Sequence, residues 1–194
     1  MIDPDYTHLY FNNFPQNVIE LLEKYYHDYG VGKGINRENY ILWNPSAQAV
    51  SYPFFIKDKT IKIKGISFYP FYFVSYPNSG KSPIHLDRLR PFGLNIPIKV
   101  DHNRSKTLVD DGHFFEKYGE PSIEIHEGIE HYLWPEALES DMLSVDLDRP
   151  MLLNVSKPHG WTNYSNDIRV IASLGTVDPT LSLEQVYSAL QIFI

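Results

Sequence analysis

The feature that most constrains this chain is a succession of short β-branched or aromatic runs, each closed by Pro, Gly, Asn or Asp. Ile61-Lys62-Ile63-Lys64 alternates apolar with charged residues, and further runs cover 68–76, 94–100, 122–125, 151–155 and 168–174. Most are too short for helices, and they lie roughly 8–15 residues apart, a pattern that predicts a mainly β sandwich or barrel. Helical periodicity is clear at the two ends. Val18, Leu21, Leu22, Tyr25, Tyr26 and Tyr29 recur at three- and four-residue steps between Pro15 and Gly30, which predicts a helix over about 16–29. Ser182 with Gln185 makes a capping box ahead of Leu183, Val186, Leu190 and Phe193, which predicts a second helix over about 183–193. No repeat, low-complexity tract or linker interrupts the chain, so one domain over 1–194 is expected. The stretch 101–140 is polar and irregular, with turn signals at Asp110-Asp111-Gly112 and Tyr118-Gly119-Glu120-Pro121. It is the natural place for a lid or substrate-recognition insertion.

Composition removes several classes of function. The 194 residues include no Cys, so disulfide frameworks, zinc ribbons, Fe–S sites and Cys nucleophiles are excluded. The formal charge of −7 argues against nucleic-acid or anionic-membrane binding, which needs a cationic surface. No segment resembles a secretory signal or a membrane span. A cytoplasmic protein without nucleic-acid or membrane partners is the expectation.

Three motifs are decoys. Ser79-Gly80-Lys81-Ser82 ends like a phosphate-binding loop, but Ser75 stands where that loop needs Gly. Pro83 and Ile84 follow in place of a helix start. His126 and His131 are five apart with Gly128 between them, whereas a zincin helix needs a spacing of four. On a helix their imidazoles would diverge by about 140°. Asp111-Gly112-His113 reads as a turn.

His85-Leu86-Asp87 is more promising. In a strand, residues i and i+2 point to the same side, so one imidazole and one carboxylate can meet one ion. His159, within Lys157-Pro158-His159-Gly160-Trp161, is the candidate third ligand. Two His and one carboxylate on one face of an octahedron leave three positions open, as non-haem Fe(II) oxygenases require. Ten residues beyond His159, Arg169 interrupts the apolar run Ile168-Arg169-Val170-Ile171-Ala172. A buried guanidinium needs a partner, either Asp146 or Asp148 of the fold or a ligand carboxylate.

Together these residues resemble the Fe(II)- and 2-oxoglutarate-dependent dioxygenase family. The resemblance rests on His85-x-Asp87, then His159 some 70 residues later, then Arg169, with Leu94-Asn95-Ile96-Pro97-Ile98 and Arg149-Pro150-Met151-Leu152-Leu153-Asn154 between them. It covers about 68–175. One departure is Ile171, where many members carry Ser two residues after the Arg. The resemblance implies a double-stranded β-helix (jelly-roll or cupin-like) core with flanking N- and C-terminal helices. It implies Fe(II) on His85, Asp87 and His159, with 2-oxoglutarate as co-substrate and its distal carboxylate on Arg169. Asn95 and Asn163 are candidates to orient the co-substrate or a ligating group, the alternative for each being hydrogen bonding within a strand end or turn. Tyr72 and Tyr76 either line the pocket or pack in the core. Arg88 and Arg90 belong either to a solvated loop or to an attraction for anionic substrates. The implied activity is hydroxylation of a small molecule or side chain by dioxygen, coupled to decarboxylation of 2-oxoglutarate to succinate. The rival reading is a β-helix protein that binds a metal or small molecule without turnover.

Overall fold

A computed structural model describes residues 7–29, 51–56, 58–87, 90–126 and 129–194. In chain order the elements are β1 (His8–Tyr10), α1 (Gln16–Tyr29), β2 (Ser51–Phe55), β3 (Ile61–Ile63), β4 (Ile66–Ser75), β5 (Gly80–Lys81) and β6 (Ile84–Leu86). They continue with β7 (Gly93–Lys99), β8 (Thr107–Val109), α2 (Phe114–Tyr118), β9 (Ser122–His126) and β10 (Ile129–Trp134). The chain closes with β11 (Leu143–Val145), β12 (Met151–Leu153), β13 (His159–Asn163), β14 (Arg169–Thr176) and α3 (Leu183–Leu190). The final helix starts on the expected Ser182–Gln185 capping box, and its last turn, Gln191–Phe193, tightens to a 3₁₀ turn.

The strands form two antiparallel sheets. The first runs β1-β12-β7-β14-β4-β2 with β3 also on β4, and the second runs β11-β8-β13-β6-β10-β9 with β5 on β13. Four neighbouring strands of the first, β12-β7-β14-β4, lie opposite β11-β8-β13-β6 of the second. The chain crosses between sheets at nearly every connection along these eight strands, which is the double-stranded β-helix expected from the sequence. The hairpin β9–β10 extends the second sheet beyond β6.

Side-chain alternation assigns the two faces of each sheet. On the first sheet Tyr72, Val74, Leu94, Ile96, Leu152, Val170, Ala172 and Leu174 point outward and pack with Val18 and Leu22 of α1 and Val186 and Leu190 of α3. Tyr72 is fully buried, and its hydroxyl donates to the Leu22 carbonyl at 2.7 Å. Tyr72 therefore packs under α1, and Tyr76 is 49% exposed, so neither lines the interior between the sheets. The intervening residues of β12 and β14, Met151, Leu153 and Ile171, point inward and meet Val109 and Val145 of the second sheet. The outer face of the second sheet, Ile84, Leu86, Leu108 and Trp134, is covered by Phe114 of α2 with Ala137 and Met142.

The stretch 101–140 is more ordered than its composition suggests. It contains β8, α2, β9 and β10, each short, and Asp110 caps a turn by accepting from the backbone N–H groups of Gly112 and Phe114. His126 ends β9 and His131 lies in β10, so the two are not on one helix. No helix is long and apolar enough to cross a membrane among the described residues.

Leu22 is fully buried between α1 and the first sheet, and Leu22→Ala removes its side chain from that interface. The expected loss is about 2–5 kcal/mol of unfolding free energy, read from a urea titration. A change below about 0.5 kcal/mol, typical of surface sites, would contradict this packing.

Candidate metal centre

Strand β6 is three residues long, and its pattern sets the site. Ile84 and Leu86 are buried in the outer cluster. His85, between them, therefore faces the interior between the sheets. His85 is the direct cross-strand partner of His159 on β13, and partners across an antiparallel pair share one face. The two imidazoles lie with ring centroids 4.2 Å apart and planes inclined by 52°. Asp87 follows the end of β6, where its backbone N–H donates to the Val155 carbonyl at 2.9 Å. Its Oδ1 stands 3.8 Å from His85 Nε2.

Each imidazole is oriented by the same local device. Nδ1 of His85 lies 3.0 Å from the Pro83 carbonyl, and Nδ1 of His159 lies 3.0 Å from the Lys157 carbonyl. A carbonyl only accepts, so each Nδ1 carries the proton and each Nε2 keeps a lone pair for the interior. One donor atom from each of His85, Asp87 and His159 falls within 4.8 Å of the others. Donors about 2.1 Å from an octahedral ion stand about 3 Å apart when adjacent. Shifts of about an ångström would bring the three donors to that spacing.

The electrostatics favour the ligating protonation states. Burial lowers the His159 imidazole to about 3, with His85 pushing the same way, so the ring is neutral, as metal ligation requires. Burial pushes the Asp87 carboxyl up, but the Arg90 guanidinium and then the two imidazoles overcome it and hold the group at about 2. Asp87 is therefore a carboxylate at any physiological pH.

Arg169 opens β14 and is 4% exposed. It lies directly opposite Ser75 of β4, on the inward face. Its Nη2 donates to Thr107 Oγ1 at 3.2 Å, across to the second sheet, and its Nε has no hydrogen-bond partner. The guanidinium lies 5.7 Å from the Trp161 ring. Thr107 pairs with Trp161, and Trp161 is two residues beyond His159 on the same strand. The guanidinium and the candidate metal ligands therefore share one interior, separated by one two-residue step, about 7 Å along β13.

No carboxylate of the fold pairs with Arg169 among the described residues. Asp146 is ion-paired with Lys106, and Asp148 with Arg149. Burial without a counter-anion depresses the guanidinium to about 9. Beside it, Ser75 is fully buried and its Oγ also lacks a partner. Sequence reasoning missed Ser75, because a Ser at the end of an apolar strand carries no signal until its neighbour across the sheet is known. These two orphaned donors fit a carboxylate from outside the chain.

The remaining candidates divide. Asn95 faces inward on β7 and accepts from Ser173 Oγ at 2.7 Å. Asn163 is fully buried, and its amide ties the turn after β13 to Tyr76 and Ser105. Its Nδ2 donates to the carbonyls of Tyr76 and Asp167, and its Oδ1 accepts from the hydroxyls of Ser105 and Ser165. Arg88 lies outside the described residues. Arg90 is not a solvated loop residue, because its Nε donates to Asp87 Oδ2 at 2.8 Å and its side chain is 16% exposed. The Gly80-Lys81-Ser82 segment is a short edge strand with Lys81 bonded to the Ala137 carbonyl, and no helix follows it.

No protein-family model and no curated protein matches this sequence. Among solved structures, the chain is similar to the polyketide cyclase RemF from Streptomyces resistomycificus, with a TM-score of 0.38, 12% identity and coverage of 82% of this chain and 99% of that one. It is also similar to the non-heme alpha ketoglutarate dependent epimerase SnoN from nogalamycin biosynthesis, with a TM-score of 0.49, 10% identity and coverage of 89% of this chain and 78% of that one.

An unpaired buried cation burdens the ligand-free fold. Arg169→Met, which fills the space without the charge, is expected to raise unfolding free energy by about 1–3 kcal/mol. Denaturant titration of both chains without metal or added anions tests this. Marked destabilisation would mean that the fold itself satisfies the guanidinium.

Proposed function

We propose that this chain is an Fe(II)- and 2-oxoglutarate-dependent dioxygenase that oxidises a small molecule or a peptidyl side chain. The observation that carries the proposal is the buried Arg169, with its unpartnered Nε beside the unpartnered Ser75 Oγ, facing the same interior as two His and one carboxylate. A two-His, one-carboxylate set suits Fe(II) and leaves positions for other ligands. A guanidinium about one strand step away suits the far end of a short diacid.

In this reading His85, Asp87 and His159 hold the iron. Iron with 2-oxoglutarate and dioxygen supplies the oxidising chemistry, with succinate and CO₂ as by-products. The protein contributes orientation. The carbonyls of Pro83 and Lys157 keep both Nε2 atoms aimed at the ion. Arg169 grips the distal carboxylate with a planar fork, steadied by Thr107, and Ser75 donates to the same group in place of the Ser that Ile171 displaces from the usual position. The inward faces of Val109, Met151, Leu153 and Ile171 supply apolar surroundings on one side. Absence of thiols leaves no readily oxidised sulfhydryl near the reaction.

The test is anaerobic titration of the Fe(II)-loaded chain with 2-oxoglutarate, followed by exposure to dioxygen. Chelation gives a weak visible charge-transfer band, and turnover gives succinate. Replacing His85, Asp87 or His159 by Ala should cut succinate formation by more than about 100-fold, above the range that outer partners of a metal site produce. Arg169→Met should weaken 2-oxoglutarate binding by about 2–5 kcal/mol while leaving the iron bound. A wild-type chain that shows neither band nor succinate would sink the reading. A band without succinate, across a broad substrate screen, would point to a binding protein.

A further inference from the structure

The loop after β6 brings Arg90 back against the carboxylate of Asp87. We propose that Arg90 is the positioning residue that fixes Asp87 as a one-oxygen metal ligand. The inference rests on the metal reading above. Nε of Arg90 donates to Oδ2 of Asp87 at 2.8 Å, which occupies the oxygen turned away from His85. Oδ1 is the oxygen nearer His85 Nε2, at 3.8 Å. With Oδ2 engaged by Arg90, Oδ1 is the oxygen offered to an ion, and none of the three open positions is lost to a bidentate carboxylate.

The guanidinium is itself held from three sides. Nη1 donates to Ser173 Oγ at 2.9 Å, and that hydroxyl donates to Asn95 Oδ1 at 2.7 Å. The guanidinium carbon lies 4.5 Å from the Phe71 ring centroid and 5.8 Å from that of Phe73. A Cβ added at Gly93 would stand 3.2 Å from Arg90 Nη1, 3.2 Å from Asn95 Oδ1 and 3.3 Å from Ser173 Oγ, so a residue without a side chain leaves room for the three groups to meet. Ser173, Asn95, Phe71 and Phe73 all belong to the inward face of the first sheet. Arg90 thereby ties a ligand that follows β6 to the opposite sheet. Asp87 is held between its own backbone bond to Val155 and this rigid cation.

Co(II) titration of the full chain tests the proposal, because its visible d–d bands report coordination and its affinity needs no turnover. Arg90→Met should weaken Co(II) binding by about 10–100-fold and shift the bands as Oδ2 becomes free to coordinate. Arg90→Lys keeps the charge but has no planar fork to reach both Asp87 and Ser173, so it should recover only part of the loss. Ser173→Ala removes one anchor and no charge, and should fall between wild type and Arg90→Met. 2-Oxoglutarate affinity at saturating metal should change by less than about threefold, since Arg169 is untouched. Variants that bind Co(II) as tightly as wild type, with unchanged bands, would overturn the role of Arg90 alone. A wild-type chain that binds no Co(II) or Fe(II) would overturn the metal reading and this inference with it. Should Arg90→Met not fold, Arg90→Lys and Ser173→Ala decide the question by the same two readouts.

Discussion

His85 and His159 meet because they are direct partners across β6 and β13, and the rest of the site depends on that register. A slip of one residue along either strand would turn one imidazole to the outer face, since side chains alternate with a period of two. The register is held by burial on the outer face of β6. Ile84 and Leu86 are locked into the outer cluster with Trp134 and Phe114, so His85 has one direction left. On β13 the neighbour Gly160 lies against Ile84 and Ser82, where a Cβ would approach to 2.8 Å and 3.0 Å. The close approach of these two strands is thus a requirement on residue size as well as on hydrogen bonding.

The interior between the sheets is electrically uneven. At the candidate metal centre, Asp87 and Arg90 compensate each other through a charge-assisted hydrogen bond. One step away, Arg169 meets no carboxylate among the described residues, but the Thr107 hydroxyl, the Trp161 ring and Ser75 across the sheet. Proteins keep such uncompensated buried charges where a ligand supplies the missing partner, and tolerate the loss of stability in its absence. The core on the outer face of the first sheet, where α1 and α3 pack, is apolar by contrast and supplies the stability that the interior does not.

The strands legible in the sequence are those whose apolar runs are long enough to show a pattern. β3, β4, β7, β12 and β14 belong to the first sheet, and the even-numbered residues of the last four feed the core under the helices, while the run 122–125 is β9 of the second sheet. The second sheet was largely hidden. β6, β8 and β11 are three residues each, and β13 reads His-Gly-Trp-Thr-Asn, which no propensity marks as a strand. β6, β8 and β13 become strands because neighbours on both sides complete their ladders, and edge strand β11 because β8 pairs with it, a tertiary effect that overrides local preference. The same blindness applies to Ser75, Thr107 and Ser173. Each is an ordinary hydroxyl whose meaning comes from the residue across the sheet. Asn163 illustrates the converse, since its place close to the distal His suggested that it orients the co-substrate or a ligating group, while the folded chain commits its whole amide to hydrogen bonds that tie the turn after β13 to Tyr76 and Ser105.

By itself the sequence determined the chemistry available to this protein. It placed two His, one carboxylate and an Arg in the order and spacing on which the resemblance rests, and it excluded thiols, because residue type and period-two alternation are properties of the chain alone. Only the tertiary structure decided which donors converge and which charges go uncompensated. Segments distant in sequence become neighbours through the crossovers between two sheets, and whether a buried cation has a partner depends on every element packed around it. Arg90 beside Asp87 and Arg169 facing Ser75 are facts of that packing.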